Sequence, residues 1–113
     1  MTKETMPPVA DAELRRFLSE RLDLIQRLYQ PSRLILFGSR SQGDAEEYSD
    51  IDLILVSERF RGQRFLDRLN EFARQMAWDR HIDALCYTPE EFASRLRLPT
   101  IAREAAEEGI LVV

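Results

Sequence analysis

Two aspartates, Asp50 and Asp52, stand two residues apart at the head of an apolar run, Ile51–Val56. Side chains alternate along a strand, so both carboxylates project from one face with Cα atoms ~6.5 Å apart. Two like charges fixed at the end of a hydrophobic strand repel each other. A divalent cation relieves that repulsion, and carboxylate oxygens suit Mg²⁺. Upstream, Gly38-Ser39 closes another apolar run, Arg33–Phe37. A glycine there permits close backbone approach, and free N–H groups plus the Ser39 hydroxyl can hold phosphate oxygens. A third carboxylate, Asp83, sits between Ile82 and Ala84. An aspartate inside such a run needs a reason, and a neighbouring strand can bring it beside Asp50 and Asp52. Three carboxylates around two metal ions ~3.5–4 Å apart clamp a nucleotide and activate an attacking hydroxyl.

These residues need elements to hold them. From Asp11 onward, Leu14, Phe17, Leu18, Leu22, Ile25, Leu28 and Tyr29 follow a helical period, which predicts an amphipathic helix ending before Pro31. Arg33–Phe37 and Ile51–Val56 read as buried strands, joined by a polar segment over 38–49 that can open with a short helix. Residues 57–62 read as a loop. Phe65, Leu66, Leu69, Phe72, Ala73, Met76 and Ala77 predict a second amphipathic helix over 63–78. Ile82–Tyr87 is a third strand. Thr88-Pro89-Glu90-Glu91 is a helix start with a capping Thr, a proline at the first helical position and a glutamate three residues on. A last helix runs from about Thr100 to Gly109, read as its C-terminal cap, and residues 110–113 add an edge strand. The expected fold class is α/β (α+β): a small mixed sheet of three to four strands packed with helices. Residues 1–10, with Pro7-Pro8, read as a flexible lead, and 11–113 as one domain.

Composition excludes several classes. The 113 residues are 44% hydrophobic and 32% charged, which are globular proportions. No apolar run approaches the ~20 residues of a spanning helix, and the first residues lack the apolar stretch of a signal peptide. The expectation is a cytoplasmic protein that does not bind membranes. A net charge of −4 argues against direct binding of duplex nucleic acid, which relies on clustered positive charge. A single cysteine, Cys86, excludes an internal disulfide framework, and a single histidine, His81, argues against a histidine-rich metal site. Cys86 reads as a small core residue, His81 as a surface loop residue and Trp78 as a packing residue at a helix end. Tyr48 reads as a solvated or packed loop tyrosine, with stacking on a base as its alternative.

Gly38-Ser39, then ten residues, then Asp50-x-Asp52 resembles the signature of the polymerase-β-like nucleotidyltransferase superfamily. The local text, Leu36-Phe37-Gly38-Ser39-Arg40-Ser41-Gln42-Gly43 followed by Ser49-Asp50-Ile51-Asp52-Leu53, is similar to the minimal nucleotidyltransferases, or MNT domains. The likeness extends over nearly the whole chain, through Asp83 and Thr88-Pro89-Glu90-Glu91-Phe92 to the terminal helix and strand. It implies the nucleotidyltransferase fold, with two Mg²⁺ ions as cofactors and ATP as substrate. Gly38 and Ser39 would bind the triphosphate, and Arg40 would be a phosphate contact. Asp50 and Asp52 would hold both metals, and Asp83 would complete one metal site and help deprotonate the acceptor hydroxyl. One departure is Gln42, where relatives often carry a second basic residue.

The resemblance also implies a partner. Larger relatives carry extra domains to hold the acceptor, whereas minimal ones are paired with a small helical HEPN-domain protein, often a toxic RNase. The expected reaction moves AMP from ATP to a tyrosine of such a toxin, with this chain as antitoxin. Two other readings stand beside it: a non-catalytic module that neutralises a HEPN partner by contact, and a small-molecule nucleotidyltransferase of the aminoglycoside-modifying kind.

Overall fold

The computed structural model describes residues 9–43, 45–46 and 49–113. Along the chain these form α1 (Ala12–Tyr29), β1 (Arg33–Phe37), α2 (Gly38–Gln42), β2 (Ile51–Val56), a 3₁₀ turn (Glu58–Phe60), α3 (Phe65–Met76), β3 (Ile82–Tyr87), α4 (Pro89–Leu96), α5 (Ile101–Glu108) and β4 (Ile110–Leu111). The strands make one mixed sheet in the order β3-β2-β1-β4. β2 is antiparallel to β1 and parallel to β3, and β4 pairs antiparallel with β1. The expected α+β class, mixed sheet and helical layers are all present. No helix among the described residues is long and apolar enough to cross a membrane.

Strand alternation divides the core in two. Leu34, Leu36, Ile51, Leu53, Leu55, Ile82, Ala84 and Cys86 face a layer made by α1 and α3, which adds Leu14, Phe17, Ile25, Phe72 and Met76. Ile35, Ile54, Val56 and Tyr87 face the other way, onto Phe92 of α4 and Ala102 and Ala105 of α5. α1 begins where the Asp11 carboxylate accepts from Leu14 N–H at 2.9 Å, satisfying one of the helix's orphan donors. α4 begins with the expected capping box: Thr88 Oγ1 accepts from Glu91 N–H while the Glu91 carboxylate accepts from Thr88 N–H.

Four details differ from the sequence expectation. The packed domain starts earlier than residue 11, because Val9 is buried in the α1–α3 core; residues 1–8 of the expected lead lie outside the described residues. The segment 57–62 is not all loop, since Ser57 Oγ accepts from Arg59 N–H and caps a 3₁₀ turn. α3 is shorter than 63–78, as Arg64 is extended and Ala77 takes a left-handed conformation that ends the helix. Its buried stripe is Arg68, Phe72 and Met76, while Phe65 and Leu66 are exposed. Arg68 takes an apolar slot because its guanidinium donates to the Cys86 carbonyl and to both Glu91 carboxylate oxygens, tying α3 to β3 and α4. Gly109 caps the end of α5 as expected, in an extended conformation. A Cβ there would lie 2.5 Å from the Leu36 carbonyl oxygen, so glycine is needed to let the chain turn against β1. β4 then keeps two of the four residues expected at 110–113.

Candidate active site

The pairing register builds the site. Phe37 of β1 is opposite Asp52 of β2, and Asp52 is opposite Asp83 of β3. Adjacent strands lie ~4.8 Å apart, so the two aspartates stand side by side on one face. That face is the one α4 and α5 cover, but their cover ends before this row: Ile54 is fully buried, Asp52 is half-buried and Asp83 is exposed. Asp50 lies one strand repeat further out and is exposed. The row therefore sits at the rim of the smaller core, with apolar walls behind and solvent in front.

The electrostatics follow from that position. Asp52 is pushed up from 3.8 to about 6, first by burial and then by the charges of Asp83 and Asp50, with His81 acting in the opposite sense. The three carboxylates thus share one electrostatic neighbourhood.

Gly38 completes the corner. It leaves β1 with φ +82°, a conformation side chains rarely adopt, and starts α2. A Cβ at Gly38 would overlap Asp52 Oδ2 and lie 3.0 Å from its Cγ. The glycine lets the turn press directly against the Asp52 carboxylate. Ser39 follows in the first turn of α2 and is half-buried. An apolar-floored cleft of about 210 Å³ opens beside the turn, between Phe37, Gly38 and Gln42 on one side and Ile101, Ala105 and Glu108 on the other.

This pairing of a glycine-serine turn with a row of aspartates lies inside a segment with known relatives. A family profile described as the nucleotidyltransferase domain matches residues 13–112. The chain belongs to the nucleotidyltransferase domain family.

Among relatives of this nucleotidyltransferase is a protein of Haemophilus influenzae named "Probable protein adenylyltransferase MntA". It is 29% identical over 89 residues, which cover 77% of this chain and 78% of that one. A crystal structure of a candidate nucleotidyltransferase from Sulfolobus solfataricus superposes with a TM-score of 0.61 over 89% of this chain and 80% of that one. At 19% identity this second likeness concerns the fold.

The nucleotidyltransferase's own side chains sort into two groups. Asp50, Asp52, Asp83, Gly38 and Ser39 are at the rim of the sheet. Arg40, by contrast, is turned away from Asp52 toward the start of α1. Its guanidinium is 6% exposed and donates to both Asp11 carboxylate oxygens at 3.1 Å, to the Ser49 carbonyl at 2.9 Å and to the Glu46 carbonyl at 3.3 Å. As a phosphate contact it would have to give up these bonds. Gln42 donates to the Glu108 carbonyl and so fastens α2 to α5. Tyr48 lies outside the described residues.

His81, expected as a surface loop residue, is exposed. Yet it precedes Asp83 by the same two residues that separate Asp50 from Asp52, and its carbonyl accepts from Ile51 N–H. His81-x-Asp83 at the entry of β3 thus runs alongside Asp50-x-Asp52 at the entry of β2. The repeated spacing is the signal that could have placed His81 at the site. Cys86 is fully buried and its thiol is pushed up to about 12 by desolvation, as a core residue and not a nucleophile. Trp78 packs edge-on against Phe17 and donates to Glu13.

The donor set fits Mg²⁺ by chemistry: three hard carboxylates, two of which add their charge to burial in lifting Asp52. As they stand, no three His, Cys, Asp or Glu side chains among the described residues form a group that could hold a metal ion.

Proposed function

We propose that this nucleotidyltransferase moves AMP from ATP to a hydroxyl, that of a tyrosine on a HEPN-type helical toxin, and thereby acts as its antitoxin. The observation that carries the reading is the Asp52–Asp83 pair in register on one face, with Gly38 pressed against Asp52. The relative named as a protein adenylyltransferase supports a protein acceptor.

Gly38 and Ser39 would receive the triphosphate at the start of α2. The glycine removes the side chain that would keep phosphate oxygens from the backbone. Asp50, Asp52 and Asp83 would hold Mg²⁺, two ions in the full site, which supplies charge neutralisation of the phosphates. Asp83, on the exposed side of the row, takes the proton of the incoming hydroxyl. The acceptor oxygen bonds to the α-phosphorus, the bond from that phosphorus to the bridging oxygen breaks, and pyrophosphate leaves with the electron pair. The apolar residues behind the row, Ile54 and Leu85, keep water from that side and strengthen every charge interaction in front.

A non-catalytic module that neutralises its partner by contact would have no use for a glycine fitted to a carboxylate. The test is purified protein with Mg²⁺ and α-labelled ATP, with and without the product of the adjacent gene. Label on a tyrosine of that protein, absent with Asp83→Asn, is the expected result. A stable, silent complex without label would replace transfer by contact neutralisation. Label only on small hydroxyl compounds would replace the protein acceptor.

A further inference from the structure

The geometry points to Arg40 as a positioning residue that fixes where Asp50 stands, acting through the backbone and not through the nucleotide. Its planar fork reaches three segments at once. One is the Asp11 side chain, which also caps α1 through Leu14 N–H. The others are the carbonyls of Glu46 and Ser49, and Ser49 is the residue immediately before Asp50. Ser49 in turn donates its N–H to the Glu46 carbonyl and accepts from Glu46 N–H on its hydroxyl. Glu46 and Ser49 are thus bonded to each other, and Arg40 ties both to the N-terminus of α1.

The choice of arginine follows from the acceptors. Five donors in a fixed plane can serve a carboxylate and two carbonyls together, whereas a lysine ammonium is a compact point charge that cannot span them. Burial raises the stakes, since a charge taken out of water needs its partners. Asp11 supplies the opposite charge, and the two carbonyls accept from Nε and from the second terminal nitrogen. Asp50 needs such help. Asp52 and Asp83 are held in paired strands, but Asp50 lies just outside the ladder, and its neighbour Ile51 makes the first strand bond, to the His81 carbonyl. Asp50's place therefore depends on what precedes it. That Asp50 is a metal ligand rests on the function proposed above; that Arg40 anchors its backbone does not.

The test compares Arg40→Gln, Arg40→Lys and Asp11→Asn with the unaltered protein. Asn caps a helix about as well as Asp, so Asp11→Asn keeps α1 while removing the charge that faces Arg40. The first readout is amide hydrogen exchange over residues 45–51. Exchange there should rise about tenfold or more in Arg40→Gln and less in Asp11→Asn, with Arg40→Lys in between and α3 and β3 unchanged. The second readout is Mn²⁺ binding followed by electron paramagnetic resonance. Affinity should fall in the same order, and the double variant should be no worse than Arg40→Gln alone. Unchanged exchange over 45–51 would overturn the inference. So would loss of metal-free ATP binding in Arg40→Gln with Asp11→Asn unaffected, because that is the mark of a phosphate contact. If the unaltered protein binds no Mn²⁺, the metal reading of the site fails, while the exchange data still decide the role of Arg40.

Discussion

The two faces of the sheet are built from the same strands and do opposite work. On one, α1 and α3 lie across the full length of β1, β2 and β3, and Phe17, Ile25, Leu53, Leu55, Phe72 and Ala84 are sealed from solvent. On the other, α4 and α5 are eight residues each and cover Ile35, Ile54, Val56 and Tyr87. They reach Phe37 but stop short of Asp52 and Asp83. The closed face holds most of the buried core, and under the proposed function the half-covered face carries the chemistry. β2 serves both, with Ile51, Leu53 and Leu55 pointing one way and Asp52 and Ile54 the other. Neighbouring residues on that strand should therefore respond to substitution in opposite senses.

The largest expected effect is on the open face. Asp52→Asn combined with Asp83→Asn should lower nucleotidyl transfer by about a thousandfold or more while the protein stays folded, checked by label transfer and circular dichroism. Retained transfer would break the comparison, because chemistry would then lie elsewhere. Next is the closed face. Phe72→Ala leaves a cavity under the sheet and should cost ~3–5 kcal/mol in urea unfolding. Transfer per folded molecule should be little changed at low temperature. Third is the seam. Gly38→Ala forces a side chain into φ +82° and into the Asp52 carboxylate, so it should reduce transfer more than its ~1–3 kcal/mol loss of stability explains. The steady-state rate at a fixed folded fraction tests this.

The smallest effect concerns the tie between the two layers. The Arg68 guanidinium, which donates to Glu91, and the Thr88 N–H hold the Glu91 carboxyl down from 4.5 to about 2. A depressed folded value means the contribution is complete above about pH 4.5 and is lost as pH falls toward 2. Urea midpoints of the unaltered protein and Glu91→Gln should differ at pH 7 and converge near pH 2. Glu91 is partly exposed, so the gap should be modest. A gap that widens in acid would contradict the assignment.

Much of this was legible in the sequence. The strands Arg33–Phe37, Ile51–Val56 and Ile82–Tyr87 have clean apolar runs and appear with those bounds. Asp50, Asp52 and Asp83 stood out because a carboxylate at the edge of such a run demands a reason. What was less legible depends on tertiary placement. Arg68 sits in an apolar slot of α3 because Glu91 and the Cys86 carbonyl happen to lie beneath it, and no periodicity reveals that. Gly109 reads as a helix cap, but its requirement comes from Leu36 across the sheet. Arg40 follows the Gly-Ser pair and so invites a phosphate role, yet its bonds run to Asp11, twenty-nine residues earlier in the chain. His81 could have been found by matching its spacing to Asp83 with that of Asp50 to Asp52.

The central claim is that the open face keeps a repelling row of carboxylates, at a cost in stability, in order to take a cation and a nucleotide. Thermal melting of the unaltered protein and of Asp52→Asn, each with and without Mn²⁺ and ATP at pH 7, tests it most directly. Asp52 titrates near 6 when folded against 3.8 in the free side chain, so the folded state loses stability as pH rises between those values. Without metal, Asp52→Asn should therefore melt higher than the unaltered protein. With Mn²⁺ and ATP the unaltered protein should gain stability by mass action and the variant should not. A variant that melts lower without metal, or gains as much with it, would contradict the account.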